Sequence, residues 1–143
     1  MNDRFNDITV GDKLPKQVHR PTAVQLFRYS AVTWNSHRVH YDTAYAHVEG
    51  YPDVLVHSHL HGAFLTRLCT DWMQPSGRLV SLTLQVKKFA NPGNVLSCRG
   101  QVLSKETVGD EGHVTVKIEE VRDDEIVCAP GEAVIAFPLS VHA

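Results

Sequence analysis

Two polar residues, Asn35 and His40, lie five positions apart in a short segment that follows a helix-like pattern. Imidazole is the side chain whose ordinary pKa lies nearest neutrality, so His40 can take up and return a proton at working pH. The Asn35 carboxamide cannot transfer a proton, but it can form hydrogen bonds with a water molecule. One imidazole and one aligned water can add H and OH across an activated double bond. The structural alternatives are a helix C-terminal cap for Asn35 and a hydrogen-bonded structural histidine for His40.

A second group of histidines brings metal binding and hydrolysis into consideration. His57 and His59 would face the same way on an extended segment, but His61 turns away once a helix begins, and no carboxylate neighbours them in sequence. Ser58 lacks the Gly-x-Ser-x-Gly turn of a hydrolase nucleophile. We therefore expect no metal and assign the segment a positional role at a helix N-terminus. There, free N–H groups near Ser58, His59 and Leu60 can bind a thioester carbonyl as it becomes enolate-like.

Other polar residues are candidates by position. His37 and Arg38 share the segment that contains His40, and His37 could also contribute to a metal site. Lys87 and Lys88 could bind the phosphates of a nucleotide carrier, as could Arg99, although outward-facing lysines on strands are usually only solvated. We keep these residues as secondary candidates.

Composition and length narrow the class of protein. With 143 residues, of which 43% are hydrophobic and 21% charged, the chain is expected to form one globular domain over residues 1–143. A net charge of -2 gives no reason to expect nucleic acid or an anionic membrane as partner, and no apolar run approaches a membrane span. The N-terminus does not resemble a secretory or mitochondrial signal. Cys69, Cys98 and Cys128 are odd in number and lie in apolar surroundings, so buried reduced thiols and a cytoplasmic location are expected.

The order of elements predicts an α+β fold. Helical patterns cover residues 23–34, 43–48 and 60–72, with Thr22 and Asp42 as N-caps, and Trp34 and Trp72 are expected in the core. Four strands follow, the first with strict alternation over 80–87 and the others over 95–103, 114–118 and 126–137. An antiparallel sheet wrapped around one long buried helix leaves open edges, so pairing of subunits is expected.

Several segments together resemble one family. They are Leu26-Phe27-Arg28-Tyr29-Ser30-Ala31, Thr33-Trp34-Asn35, His37-Arg38-Val39-His40-Tyr41-Asp42, Glu49-Gly50-Tyr51-Pro52 and the turn from Phe89 to Gly93. These segments resemble the hot-dog-fold dehydratases and hydratases of the MaoC-like superfamily, nearest the branch of 3-hydroxyacyl-thioester dehydratases and mesaconyl-CoA hydratases. The likeness extends from about Val10 to Phe137.

The resemblance implies a hot-dog dimer that interconverts 2-enoyl and 3-hydroxyacyl thioesters of CoA or acyl carrier protein without a cofactor. It places His40 on the family's catalytic histidine and Asn35 where (R)-specific enoyl-CoA hydratases have aspartate. The chain departs from the branch at Ser58, within a segment that commonly reads Val-His-Gly-Pro-Leu, and at Asp53, which replaces a usual glycine. A serine side chain could obstruct the close approach that glycine permits.

Three competing interpretations remain. A hot-dog thioesterase would use a carboxylate near the central helix, for which Asp71 is the candidate. A non-catalytic acyl-binding or partner subunit would be inactive until a second hot-dog subunit joins it. The segment Thr70-Asp71-Trp72 with Pro75 resembles short subunits of steroid side-chain hydratases, which work as hetero-oligomers. A histidine-rich metal-binding module is the third alternative.

Overall fold

The computed structural model describes residues 4–140. Its helices are α1 (Arg4–Asp7), α2 (Ala23–Val32), α3 (Thr43–Val48) and α4 (Ser58–Trp72), with a 3₁₀ turn over Arg38–His40 between α2 and α3. Its strands are β1 (Gln17–His19), β2 (Arg78–Leu84), β3 (Leu96–Val108), β4 (Glu111–Arg122) and β5 (Ile126–Pro138).

One antiparallel sheet organises the molecule, with strand order β1-β3-β4-β5-β2. The long helix α4 contacts β2, β3, β4 and β5, and its Leu65 and Leu68 belong to the same buried cluster as Val116 and Ile118 of β4. The alternation of β4 explains this packing, because side chains two residues apart point to the same face. The α+β expectation of a sheet around a central helix is confirmed.

Both expected N-caps are present. Thr22 Oγ1 accepts a hydrogen bond from Gln25 N at the start of α2, and Asp42 Oδ1 accepts one from Tyr45 N at the start of α3. These bonds satisfy N–H groups that the first turn of a helix leaves free.

The structure corrects several sequence expectations. Helix α2 ends at Val32 rather than at residue 34, and Trp34 has a left-handed φ of 53°. Trp34 is 93% exposed, so its expected place in the core is wrong; Trp72, by contrast, is half-buried and its ring packs edge-on against Phe137. The last three predicted strands exist but are longer at one or both ends, and the short β1 was missed.

The three cysteines are buried free thiols, as expected. Burial raises the pKa of the Cys69 thiol to about 11 and raises the pKa of Cys98 as well. Within residues 4–140, no helix is long and apolar enough to cross a membrane.

Candidate active site

His40 ends the 3₁₀ turn, and local hydrogen bonds fix the position of that turn. His37 caps it, since its Nδ1 accepts a hydrogen bond from Val39 N at 3.1 Å. His40 Nδ1 lies 2.8 Å from the carbonyl oxygen of Leu55. A carbonyl oxygen can only accept, so Nδ1 carries the proton and the lone pair of the neutral ring is on Nε2. No hydrogen bond within the described residues occupies Nε2, which is therefore free to act as a base.

The surroundings of His40 favour its neutral form. The half-buried ring has a lowered pKa, chiefly because burial disfavours the charged imidazolium, and the nearby His37 adds to this effect. The hydrogen bond to Leu55 opposes the shift without reversing it. A neutral imidazole with a free Nε2 can take a proton from water at neutral pH.

A second imidazole lies against the first. The rings of His40 and His57 are stacked, with centroids 3.8 Å apart and an angle of 16° between planes. His57 is 1% exposed, and its Nε2 forms a 2.7 Å hydrogen bond with Ser30 Oγ on α2. Burial, together with the histidines around it, lowers the pKa of His57 to about 4, so this ring is neutral at physiological pH.

The backbone that ends α2 sets the position of Asn35. Asn35 N donates to Ser30 O at 2.9 Å, and Trp34 N donates to Ala31 O at 3.4 Å. This is the Schellman arrangement, in which the left-handed position usually belongs to glycine but here belongs to Trp34. Asn35 therefore completes a helix cap through its backbone and leaves its side chain for other contacts.

The Asn35 side chain is not joined to His40 by any hydrogen bond in the described part of the chain. Its Oδ1 accepts from His37 N at 3.2 Å, which leaves the Nδ2 hydrogens available to a ligand. Asn35 lines a shallow groove of about 180 Å³, and His40 is not among the lining residues. The groove is also lined by Phe27, Ser30, Ala31, Trp34, Ser36 and Tyr41.

The N-terminus of α4 begins directly after His57, which is its N-cap residue and makes no capping side-chain bond. The N–H groups of Leu60 and His61 both donate to the carbonyl oxygen of His57. Among the expected donors, Leu60 is therefore already bonded, while the N–H groups of the exposed Ser58 and His59 have no partner within residues 4–140. Unpaired N–H groups at a helix N-terminus attract a partially negative oxygen.

A buried acid–base pair lies under the same end of α4. His61 Nδ1 bonds to Glu120 Oε1, and the two side chains are 1% and 0% exposed. Cys98 Sγ lies 3.9 Å from the other carboxylate oxygen. Sequence reasoning found no carboxylate beside these histidines because Glu120 is 59 residues from His61. The signal was available in β4, where the inward alternation of Val114, Val116 and Ile118 continues to Glu120.

The remaining candidates have other surroundings. Arg38 forms an exposed ion pair with Asp42, with Nη2 of the guanidinium 2.6 Å from Oδ2. Lys87 and Lys88 are exposed and follow β2, and their backbone N–H groups donate to Cys128 O. Asp71, at the far end of α4, is exposed and accepts from Gln17 and Arg67. No cluster of three or more His, Cys, Asp or Glu side chains within residues 4–140 could hold a metal ion.

Sequence comparison identifies a family. The sequence model of the family "hydroxyacyl-thioester dehydratase type 2" matches residues 11–90, more than half of the chain. A mesaconyl-C(4)-CoA hydratase of Chloroflexus aurantiacus is 54% identical over 44 residues, which make up 30% of this chain and 16% of that protein. The chain thus aligns with only about a sixth of the length of this curated relative.

Solved structures share the fold. A chain of the ChsH1-ChsH2 complex from Mycobacterium tuberculosis has a TM-score of 0.80 at 20% identity, covering 90% of this chain and 98% of that one. The (R)-hydratase from A. caviae involved in PHA biosynthesis has a TM-score of 0.81 at 19% identity, covering 92% and 98%. The R-hydratase PhaJ1 from Pseudomonas aeruginosa has a TM-score of 0.82 at 23% identity, covering 95% and 86%. The expected hot-dog fold is confirmed.

Proposed function

The chain belongs to the hydroxyacyl-thioester dehydratase type 2 family of MaoC-like hot-dog proteins, and from that premise we propose that it is a hydro-lyase that interconverts 2-enoyl and 3-hydroxyacyl thioesters. The observation that carries the proposal is the environment of His40. Its Nδ1 is hydrogen-bonded to Leu55 O, burial lowers the pKa of the ring, and its Nε2 has no hydrogen-bond partner within residues 4–140. These are the properties of a general base for water.

In the hydration direction, His40 Nε2 takes a proton from a water molecule, and the water oxygen attacks the β-carbon of the enoyl thioester. Asn35 Nδ2 donates a hydrogen bond to that oxygen, since Oδ1 is occupied by His37 N. Because a carboxamide cannot supply a proton, His40 returns the proton to the α-carbon. Water is added as H and OH on one face, and no cofactor is required.

The thioester carbonyl accumulates negative charge as the enolate forms. We assign its oxygen to the unpaired N–H groups of Ser58 and His59 at the start of α4. Donors that are fixed before the reaction stabilise developing charge without reorganisation. His57 links the two parts of the site, because it is the N-cap of α4 and its ring stacks on His40.

The substrate is proposed to be carried by CoA or acyl carrier protein. The exposed ammonium groups of Lys87 and Lys88 are assigned to phosphates of that carrier. We propose a homodimer, because β1 and β2 are the outer strands of the sheet and each has an unpaired edge. The acyl chain would then enter at the subunit interface.

The direct test is turnover by the purified protein with crotonyl-CoA and with branched and polycyclic enoyl-CoAs, followed by loss of the enoyl-thioester absorbance. General acid–base catalysis supplies about 10²–10⁴-fold, so His40→Ala should lower kcat by at least about two orders of magnitude. The control is His47→Ala, which removes an exposed imidazole whose Nε2 is hydrogen-bonded to Pro52 O. His40→Ala turnover at the parental rate would disprove the assignment.

A second candidate is a partner subunit that is inactive alone. This alternative is favoured by the similarity of the fold to that of one chain of the ChsH1-ChsH2 complex. It predicts ligand binding by the purified chain, measured by calorimetry with enoyl-CoA, without turnover until a second hot-dog subunit is added. Release of free thiol from acyl-CoA would instead indicate a thioesterase.

A further inference from the structure

We infer that His57 is a positioning residue for His40: its imidazole, fixed by Ser30, is the surface that holds the His40 ring in its working orientation. The inference rests on the proposed role of His40 as general base and adds a residue that acts through it. His57 is not assigned any contact with the substrate.

Two restraints act on the His40 ring. The hydrogen bond from Nδ1 to Leu55 O fixes one edge of the ring, but a single bond leaves the ring free to tilt about it. The stacked ring of His57, 3.8 Å away and nearly parallel, blocks that tilt on one side. Together the two restraints hold the direction of the Nε2 lone pair, on which proton transfer depends.

His57 itself is held at three points, one on α4 and two on α2. It is the N-cap of α4, its ring packs at a tilt against Tyr29, and its Nε2 bonds to Ser30 Oγ on α2. The bond to Ser30 fixes the rotation of the ring about its own axis. A phenyl ring of similar size could stack there but could not form this bond.

The choice of imidazole at this buried position lowers stability. His57 Nδ1 is buried without a hydrogen-bond partner within residues 4–140, and an unsatisfied polar atom in the interior is destabilising. An apolar side chain would avoid this penalty. An unsatisfied polar atom in the interior, beside the proposed base His40, is accounted for if the site needs an oriented, neutral ring at position 57.

The charges around the stack are consistent with this role. His57 faces His40, His59 and His61, and His40 faces His37; within residues 4–140, no carboxylate is among the charged groups that act on either ring. His57 therefore stays neutral while His40 alternates between its neutral and protonated forms.

The test uses three variants and a control. His57→Ala removes the stack, His57→Phe retains the stack without the bond to Ser30, and Ser30→Ala removes only that bond. Misplacement of a reacting group can lower the rate by about 10²-fold, so we expect a kcat loss of that order for His57→Ala with KM unchanged. His57→Phe and Ser30→Ala should lose about fivefold, the equivalent of one hydrogen bond. His47→Ala should match the parent protein.

NMR titration of the His40 ring provides a readout that does not need turnover. Burial is the main cause of the lowered His40 pKa, so removing the covering ring in His57→Ala should raise that pKa towards 6.5. If the parent protein shows no hydratase activity but this shift occurs, the proposed function fails while the positioning contact stands. Thermal melts identify a variant that is unfolded at the assay temperature, and Ser30→Ala and His57→Phe then decide. Equal kcat losses in His57→Phe and His57→Ala, or unchanged kcat and unchanged His40 titration in His57→Ala, would overturn the inference.

Discussion

The buried pair of His61 and Glu120 offers a quantitative test of the packing under α4. Both side chains are at most 1% exposed, so water cannot screen or solvate either of them. Removing one member of a buried ion pair typically costs about 3–5 kcal/mol, whereas replacing both by apolar groups is often neutral or stabilising. We therefore predict opposite outcomes for the single variants and the double variant.

His61→Leu leaves the Glu120 carboxylate buried and without its partner; of its hydrogen bonds within residues 4–140, the weak one from Cys98 Sγ remains. We expect a loss of about 3–5 kcal/mol in the free energy of unfolding at pH 8, a large part of the roughly 5–15 kcal/mol of an ordinary domain. Glu120→Met leaves the buried Nδ1 of His61 without its hydrogen-bond partner, which costs about 1–3 kcal/mol. The double variant should recover most of both losses, because neither polar group is then left alone.

Urea unfolding at a fixed protein concentration measures all four proteins of this cycle, since an oligomer would make the midpoint concentration-dependent. If the loss in the double variant equalled the sum of the two single losses, His61 and Glu120 would not be energetically coupled and the reasoning would be refuted.

Two further predictions test the site and the sheet. In a pH–rate profile, kcat/KM for hydration should fall on the acid side with a midpoint below pH 6.5. Burial lowers the pKa of His40, and the neutral base is lost as the pH falls through that pKa. A midpoint above pH 6.5 would contradict this prediction. Gly131→Ala should lower the free energy of unfolding by about 1–3 kcal/mol, because the added Cβ would overlap the backbone carbonyl of Thr83. Gly62→Ala should be neutral or stabilising, because its Cβ meets the flexible end of the Leu84 side chain at 3.3 Å. Thermal melts in which both variants behave alike would contradict this difference.

Local chemistry explains which elements could be predicted from the sequence. Thr22 and Asp42 were identifiable as caps because an N-cap acts on residues two or three positions away. Strand β4 was identifiable because alternation is a property of neighbouring residues. The strict alternation predicted over 80–87 is only partly correct, because β2 covers Arg78–Leu84, its register with β5 shifts between Leu79 and Ser81, and Val80 is exposed. The family resemblance likewise depended on short local segments, and those from Leu26 to Pro52 lie within the matched residues 11–90.

Features that depend on distant residues could not be predicted in the same way. Strand β1 has three residues, too few for a period, and exists because it pairs with β3 some 80 residues later. The contact of His57 with Ser30 joins residues 27 positions apart, and that of His61 with Glu120 joins residues 59 apart. Trp34 was placed in the core by its apolar character, but the geometry of the helix cap directs it to solvent. The roles of Asn35, Ser58 and His59 in a reaction remain predictions.

These long-range contacts divide α4 into two halves that are held in place by different interactions. Its C-terminal half is held by apolar packing, through residues such as Leu65 and Leu68. Its N-terminal end is held by directional bonds, because His57 binds Ser30 of α2 and His61 binds Glu120 of β4. Apolar packing tolerates small shifts, whereas a hydrogen bond is sensitive to distance and angle. These two directional bonds lie beside the unpaired N–H groups of Ser58 and His59 and the ring of His40. The roles that we propose for those groups, in stabilising an enolate and moving a proton, require such a fixed geometry.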